Sequence, residues 1–186
     1  MLGHGAGGGP HASDLLATSA AASEVGFTVA LVEQPYRVAG RRSPAPAKQL
    51  DVAWRAVVAD LVQDELSGLP LVVGGRSSGA RVACRIAADS GAVGVLCLAF
   101  PLHPPGKADD PEKSRLPELE AVEVPVLVIQ GNRDPFGMPP NAQGRTVIQV
   151  SGDHSLRSAA AEVSAAVVAW LGTVVTHAGA TRPSPR

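Results

Sequence analysis

The chain has few aromatic residues and almost no net charge. Phenylalanine, tryptophan and tyrosine make up 3% of its 186 residues, too few to build a platform on which nucleic-acid bases stack. The formal net charge of −1 at pH 7 offers no attraction for phosphate backbones or for an anionic membrane surface. The composition therefore predicts neither a nucleic acid nor a membrane as a partner.

Long apolar runs and cysteine clusters are also missing. No run in the sequence suggests a membrane span, and the amino end lacks the charged and then apolar pattern of a signal peptide. Cys84 and Cys97 have no metal-like spacing, so they are predicted to be small buried side chains in a reducing compartment. We expect a cytoplasmic protein that needs no metal.

What the chain does contain is enough apolar material for one core. A hydrophobic fraction of 45% predicts one domain over residues 1–175, followed by a disordered tail, 176–186. Short β-rich runs alternate with longer helical patterns, which indicates an α/β fold with a mostly parallel sheet. Strands are predicted at Thr28–Glu33, Leu69–Gly74, Val93–Ala99, Val124–Gln130 and Thr146–Val150. Helices are predicted at Asp14–Val25, Gln49–Leu66, Ser78–Ala88 and Leu156–Val174.

The most informative segment joins a predicted strand to a predicted helix. An apolar run ends at Gly74-Gly-Arg-Ser-Ser-Gly79, and a helical pattern follows at once. A G-x-S-x-G turn needs small residues around its serine because the serine backbone is strained there. The turn lifts the Ser77 hydroxyl out of the sheet and directs the helix N-terminus towards it. With 20 glycines in the chain the string alone is weak, and its context carries the prediction.

A serine nucleophile needs a base, and the base needs an acid that orients it. Asp134 follows the strand predicted to end at Gln130, and His154 follows the strand predicted to end at Val150, so both lie at the carboxyl edge of the sheet. Asp134 could instead be a turn former, His154 a capping or packing residue, and Asp153 a competing acid. Ser77, Asp134 and His154 in this order are the strongest signal in the sequence.

An oxyanion formed at Ser77 needs two backbone donors. The amide of Ser78, next to the nucleophile, is one candidate, and the amide of Ala6 in the glycine-rich loop His4–Gly9 is the other. Such a loop normally follows a strand, but only Met1 and Leu2 precede it before Gly3. The sequence therefore predicts either a small sheet or missing upstream residues.

The motifs HGAGGG, GGRSSG, GNRDPF and SGDHSL together resemble the α/β-hydrolase superfamily. They are most similar to its small dienelactone-hydrolase-like branch, which includes predicted bacterial hydrolases and a subunit of an animal histone-acetyltransferase complex. The resemblance covers about Leu2 to Leu171 and implies a three-layer sandwich with helices on both faces of the sheet. It also implies a Ser77–Asp134–His154 triad with oxyanion donors at Ala6 and Ser78. Amino-terminal strands are expected to be missing, and only Phe100–Glu120 is available as a minimal lid.

Two other functions compete with hydrolysis. Gly3-x-Gly5-x-x-Gly8, with Glu33 after the next strand, satisfies a dinucleotide-binding pattern and would indicate a nicotinamide-dependent oxidoreductase. This pattern must follow a strand, and hardly any strand precedes Gly3. The second alternative is a non-catalytic interaction module on the same fold.

The predicted chemistry is hydrolysis of an ester, thioester or amide of a small acyl substrate through an acyl-enzyme, without metal or organic cofactor. Side chains near the predicted catalytic edge are candidate substrate contacts: Arg76, Tyr36, Arg37, Phe100 and Phe136. The sequence does not indicate an oligomeric state.

Overall fold

The computed structural model describes residues 1–107 and 110–180, with side chains as far as Thr176. Its strands form one six-stranded parallel sheet in the order β2-β1-β3-β4-β5-β6. The strands are β1 (Leu2–Gly3), β2 (Leu31–Val32), β3 (Val72–Arg76), β4 (Gly94–Leu98), β5 (Val126–Gly131) and β6 (Arg145–Val150). The helices are α1 (Ser13–Glu24), α2 (Pro35–Val38), α3 (Ala47–Gln63), α4 (Ser78–Ser90), α5 (Leu116–Glu120) and α6 (Ala160–Ala180).

Helices cover both faces of the sheet, which explains why its central strands are apolar throughout. Along β4, Val95 and Cys97 pack into the core under α3 and α4, whereas Leu96 and Leu98 pack into the core under α1 and α6. Successive side chains of a strand point to opposite faces, so a strand covered on both sides loses its polar alternation. The predicted three-layer α/β architecture is confirmed.

The sequence placed the main elements correctly but missed several boundaries. Strand β2 is shorter than the predicted Thr28–Glu33 because its parallel neighbour β1 pairs with it only at Leu31 and Val32. Short elements also lie between the predicted ones: α2 follows β2, and the predicted lid Phe100–Glu120 contains α5 and a 3₁₀ turn at Pro111–Lys113. The prediction of a disordered tail from residue 176 is wrong as far as Ala180, because α6 continues to that residue. Residues 181–186 lie outside the described part.

Helix α6 corrects the expectation that no run in the chain suggests a membrane span. Residues 157–176, with a mean hydropathy of 1.6, are long and apolar enough by length and composition to cross a membrane. In the fold, one face of this helix packs against the sheet and α1 through Val163, Val167 and Leu171. Only 28% of the most apolar window is buried, and one such helix is weak evidence for a membrane span.

Both cysteines are buried and free, as predicted. The Cys84 Sγ in α4 lies 3.6 Å from the Cys97 Sγ in β4. The hydrogen bond with Cys84 and burial together raise the pKa of the Cys97 thiol. The pair therefore behaves as core packing rather than as a reactive thiolate.

Two glycines let the short strand β1 lie against the start of α4. A Cβ atom added at Gly79 would collide with the carbonyl of Gly3, and one added at Gly75 would meet the same carbonyl. These contacts are with backbone, which cannot rotate away as a side chain can. The glycines that flank Ser77 therefore allow the strand carrying the glycine-rich loop to reach the serine.

We expect Gly79→Ala to lower the free energy of unfolding by at least about 3 kcal/mol, because the added methyl group must displace β1. Urea unfolding of the purified variant would measure this loss. Gly172→Ala in α6 is the matched control, since nothing lies within 4 Å of its added Cβ. The control should be neutral or stabilise the helix by about 1 kcal/mol, and equal losses in both variants would contradict the interpretation.

Candidate active site

Ser77 lies at a sharp turn between β3 and α4. Its backbone has φ 52° and ψ −110°, a conformation that costs a residue with a side chain of the order of 1–3 kcal/mol. The turn is held by its own amide, which donates to the carbonyl of Leu98 at 2.9 Å. Strain of this kind persists only where the surrounding fold fixes it, and here it presents the hydroxyl at the carboxyl edge of the sheet.

Ser77, His154 and Asp134 form a hydrogen-bonded chain. The Ser77 Oγ is 2.9 Å from the His154 Nε2, and the His154 Nδ1 is 2.7 Å from the Asp134 Oδ2. The three residues follow β3, β6 and β5 respectively, so the parallel sheet brings them to one edge. The Asp134 side chain is 1% exposed and the His154 side chain is 17% exposed. The carboxylate is therefore shielded from solvent, whereas the imidazole remains partly accessible.

Asp134 is held by groups that sequence reasoning missed. The Gln130 Nε2 donates to the Asp134 Oδ2 at 2.8 Å, and the Phe136 amide donates to the Oδ1 at 2.9 Å. Gln130 is fully buried and its Nε2 also faces the carbonyls of Phe100 and Gly137. The sequence signal for this role is a polar residue at the end of an otherwise apolar run, where the strand Val124–Gln130 is predicted to end.

Among the described residues, the competing acid Asp153 has no hydrogen bond to the imidazole. Its Oδ1 accepts hydrogen bonds from the amide and the hydroxyl of Ser155, at 2.8 Å and 2.6 Å. These bonds lower the pKa of the Asp153 carboxyl below its ordinary value. Asp134 is therefore the carboxylate in position to orient His154.

Two backbone amides near Ser77 have no acceptor among the described residues. Within residues 1–107 and 110–180, neither the Ala6 amide nor the Ser78 amide has a hydrogen-bond partner. Ser78 is the first residue of α4, where amides lack intrahelical acceptors and the helix dipole is positive. A Cβ placed on Gly5 would lie 3.4 Å from the Ser77 Cβ, so the glycine-rich loop reaches the serine despite the shortness of β1.

A buried histidine, His4, fixes the glycine-rich loop through two hydrogen bonds. The His4 Nδ1 donates to the carbonyl of Gly5 at 2.8 Å, while its Nε2 accepts from the amide of Gln34 at 2.9 Å. The Tyr36 hydroxyl donates to the carbonyl of Ala6 at 3.0 Å. These contacts hold the peptide group that carries the Ala6 amide and the peptide group that follows it, and they require a neutral imidazole.

Acid should weaken the fold through His4. Burial lowers the pKa of His4 below 6.5, so the unfolded chain takes up a proton before the folded chain does. The free energy of unfolding should therefore fall as the pH decreases through about 6.5. Urea unfolding at about pH 7.5 and about pH 5.5 should show a smaller pH-dependent loss in His4→Gln than in the wild type. An equal loss in both proteins would contradict this role.

The residues predicted to contact the substrate lie in different environments. The Phe136 ring packs on the His154 imidazole, with 4.4 Å between ring centroids. Phe100 is fully buried in the core, so its prediction as a residue of the site rim is corrected. Tyr36 is 3% exposed and its hydroxyl is used by the Ala6 carbonyl. Arg37 is partly exposed and lies beside Tyr36 and His4.

Arg76 was predicted as a substrate contact, but its guanidinium binds the protein itself. The Nε lies 2.8 Å from the Asp14 Oδ2, and the Nη2 donates to the carbonyl of His154 at 3.1 Å. These contacts neutralise its charge within the fold. They argue against a direct contact between Arg76 and an anionic substrate.

A large apolar cavity lies at the other edge of the sheet. It has a volume of about 410 Å³ and is bounded by Leu2, Ala22, Phe27, Leu96 and Leu171. Leu2 and Leu96 belong to strands β1 and β4, Ala22 and Leu171 to α1 and α6, and Phe27 to the loop before β2, and Ser77 is not among the lining residues. Its position excludes it as the space where an acyl group would meet the serine.

The fold and the site together define an α/β protein with a serine at a strained strand-to-helix turn, and comparison with known proteins identifies its family. A family model described as an alpha/beta hydrolase domain matches residues 1–167, so the chain belongs to the α/β hydrolases. This membership confirms the superfamily predicted from the four motifs. A search of the curated proteins found no match.

Solved structures agree in fold at low sequence identity. An esterase from Pyrococcus furiosus has a TM-score of 0.73 and 16% identity, covering 92% of this chain and 81% of that one. An α/β serine hydrolase without a lid from Xanthomonas campestris has a TM-score of 0.69 and 20% identity, covering 89% and 78%. A monoacylglycerol lipase from Paleococcus ferrophilus has a TM-score of 0.68 and 15% identity, covering 93% of each chain. At these identities they show that the chain shares the fold of these enzymes.

Proposed function

We propose that this protein is a serine hydrolase that cleaves an ester, thioester or amide of a small acyl substrate through an acyl-enzyme. The observation that carries the proposal is the chain of hydrogen bonds from Ser77 through His154 to Asp134, at 2.9 Å and 2.7 Å. Hydrolase membership alone does not require a serine nucleophile, whereas this geometry supports one, with His154 as its base and Asp134 as the acid.

The tautomer of His154 follows from its partners. The Asp134 carboxylate can only accept, so the Nδ1 carries the proton and the Nε2 is free to accept from the Ser77 hydroxyl. As Ser77 attacks the substrate carbonyl, His154 takes the hydroxyl proton and Asp134 stabilises the imidazolium. The same proton then passes to the leaving group.

The oxyanion that forms on the carbonyl is the largest new charge of the reaction. The amides of Ala6 and Ser78 are the proposed donors, since both lack an acceptor among the described residues and both lie beside the serine. Their positions are set before substrate binds, so no reorganisation is needed in the transition state. His154 then activates a water molecule that releases the acyl group.

The substrate preference we propose is a small, neutral, apolar acyl group. The Phe136 ring against His154 provides an apolar wall beside the reacting atoms. Arg76, the basic residue nearest the serine in sequence, is occupied by Asp14 and by the His154 carbonyl. A carboxylesterase or dienelactone-hydrolase-like activity on uncharged short-chain esters fits these features.

A fluorophosphonate probe tests the proposal directly, because it reacts with an activated serine and leaves a phosphonyl group on it. We expect labelling of the wild type, located on the peptide that contains Ser77 by mass spectrometry. His154→Ala should react far more slowly, because the base that activates the hydroxyl is gone. A folded wild-type protein that stays unlabelled at Ser77 would overturn the proposal and favour the non-catalytic interaction module.

A further inference from the structure

An ion pair below the proposed active site has no role in the mechanism described so far. The Asp14 Oδ2 lies 2.8 Å from the Arg76 Nε, and the two side chains are 4% and 20% exposed. Burying two charges costs desolvation free energy, and a pair of this kind gains stability only where its geometry and additional hydrogen bonds are good. Its location next to the nucleophile points to a second purpose.

Arg76 lies next to both loops that approach Ser77, the loop that carries His154 and the glycine-rich loop. It is the residue immediately before Ser77, and its Nη2 donates to the main-chain carbonyl of His154. Its Nη1 lies under the glycine-rich loop, where a Cβ added to Gly5 would be 2.8 Å away. One guanidinium thus connects the strand carrying the nucleophile, the loop carrying the base and the loop carrying the proposed Ala6 donor.

Asp14 lies against this guanidinium as an ion pair, although the Asp14 Oδ2 and the Arg76 Nε do not have hydrogen-bond geometry. It lies in the first turn of α1, where its Oδ1 accepts from the amide of Leu15 at 3.0 Å. A carboxylate at a helix N-terminus is stabilised by the dipole and by free amides, so its position is fixed independently of Arg76. The planar guanidinium can bind Asp14 and the His154 carbonyl at once, a geometry that a lysine ammonium cannot reproduce.

We propose that the Asp14–Arg76 pair is a positioning device that fixes the main chain of His154 relative to Ser77. The inference rests on the proposed function, since it assigns a task to the pair only if His154 acts as the base. Asp134 orients the imidazole through the hydrogen bond with the His154 Nδ1, and the Phe136 ring packs on the imidazole. Arg76 restrains the backbone from which the ring extends, from the side of the nucleophile.

The test compares Arg76→Lys and Asp14→Asn with variants of a second ion pair that lies elsewhere. Arg85 in α4 binds Asp51 in α3 through its Nε and Nη2, and the two side chains are 19% and 12% exposed. Arg85→Lys and Asp51→Asn therefore remove an ion pair of similar burial without touching the proposed site. Each purified variant is assayed for folding by urea unfolding, for kcat and KM with a short-chain ester, and for the fluorophosphonate labelling rate.

We expect Arg76→Lys to lower kcat and the labelling rate by about 10²-fold with little change in KM, because displacement of the base by roughly 1 Å costs that much. Asp14→Asn should show a smaller loss in the same direction, since the bond from Arg76 to His154 remains. The control variants should keep the wild-type kcat even where they are equally destabilised. NMR should show an altered low-field signal of the His154 Nδ1 proton in Arg76→Lys and an unchanged one in Asp51→Asn.

Wild-type kcat and labelling rate in folded Arg76→Lys would overturn the positioning role. So would equal losses of kcat in the variants of the two ion pairs, because the effect would then follow stability alone. If Arg76→Lys does not fold, Asp14→Asn decides by the same criteria. Failure of the proposed function gives a different result, in which the wild-type protein itself is neither labelled at Ser77 nor active.

Discussion

The Ser77→Ala variant should lose ester hydrolysis by roughly 10⁶-fold in kcat and still fold. Removing the Oγ deletes the atom that would form the acyl bond, and neither His154 nor the oxyanion donors can replace it. The methyl side chain of alanine fits the position of the serine Cβ, so the packing around the turn is retained. Steady-state kinetics with a chromogenic short-chain ester would measure the loss, and urea unfolding would verify the fold.

Ser90→Ala is the control for this variant. Ser90 ends the same helix, α4, and its hydroxyl donates only to the carbonyl of Ala87. Its removal should leave kcat unchanged. Ser77→Ala with wild-type turnover would show that another group is the nucleophile, and the proposed mechanism would be wrong.

Asp134→Asn should lower kcat by about 10⁴-fold. The Asp134 Oδ2 accepts from both the Gln130 Nε2 and the His154 Nδ1, at 2.8 Å and 2.7 Å. An amide in this place offers one oxygen and one NH₂ group, so one of these donors would face another donor. The imidazole would then favour the tautomer with its proton on Nε2, which cannot accept from Ser77.

Asp153→Asn separates this effect from a general loss of negative charge near His154. Asp153 is the sequence neighbour of His154, yet its carboxylate binds only Ser155 among the described residues. We expect kcat to stay within about twofold of the wild type, since a solvated side chain outside the hydrogen-bonded chain contributes little. Larger losses in Asp153→Asn than in Asp134→Asn would reverse the assignment of the acid.

The order of the site was readable from the sequence because each residue stands next to a local signal. Ser77 lies between a β-rich run and a helical pattern, and Asp134 and His154 each follow an apolar run of strand length. In a parallel sheet the carboxyl ends of such runs meet at one edge, so local patterns predict a common location. The strands themselves were recognisable because burial on both faces makes them apolar throughout.

Long-range contacts were not readable in this way. The bond from Gln130 to Asp134, the burial of Phe100 and the capture of Arg76 by Asp14 join residues whose types fit several roles. Arginine beside a nucleophile suits an anionic substrate as well as an internal ion pair. The internal ion pair forms because α1 approaches the end of β3, and the sequence does not predict this approach.

By itself, the sequence determined the α/β class, the positions of the main elements and the order of the serine, the acid and the histidine. These features depend on hydrophobic periodicity and turn chemistry, which act over a few neighbouring residues. Tertiary structure alone decided which carboxylate orients His154, which amides are left without acceptors and what Arg76 binds. Those outcomes depend on distances between segments far apart in the chain, which packing sets and local patterns do not encode.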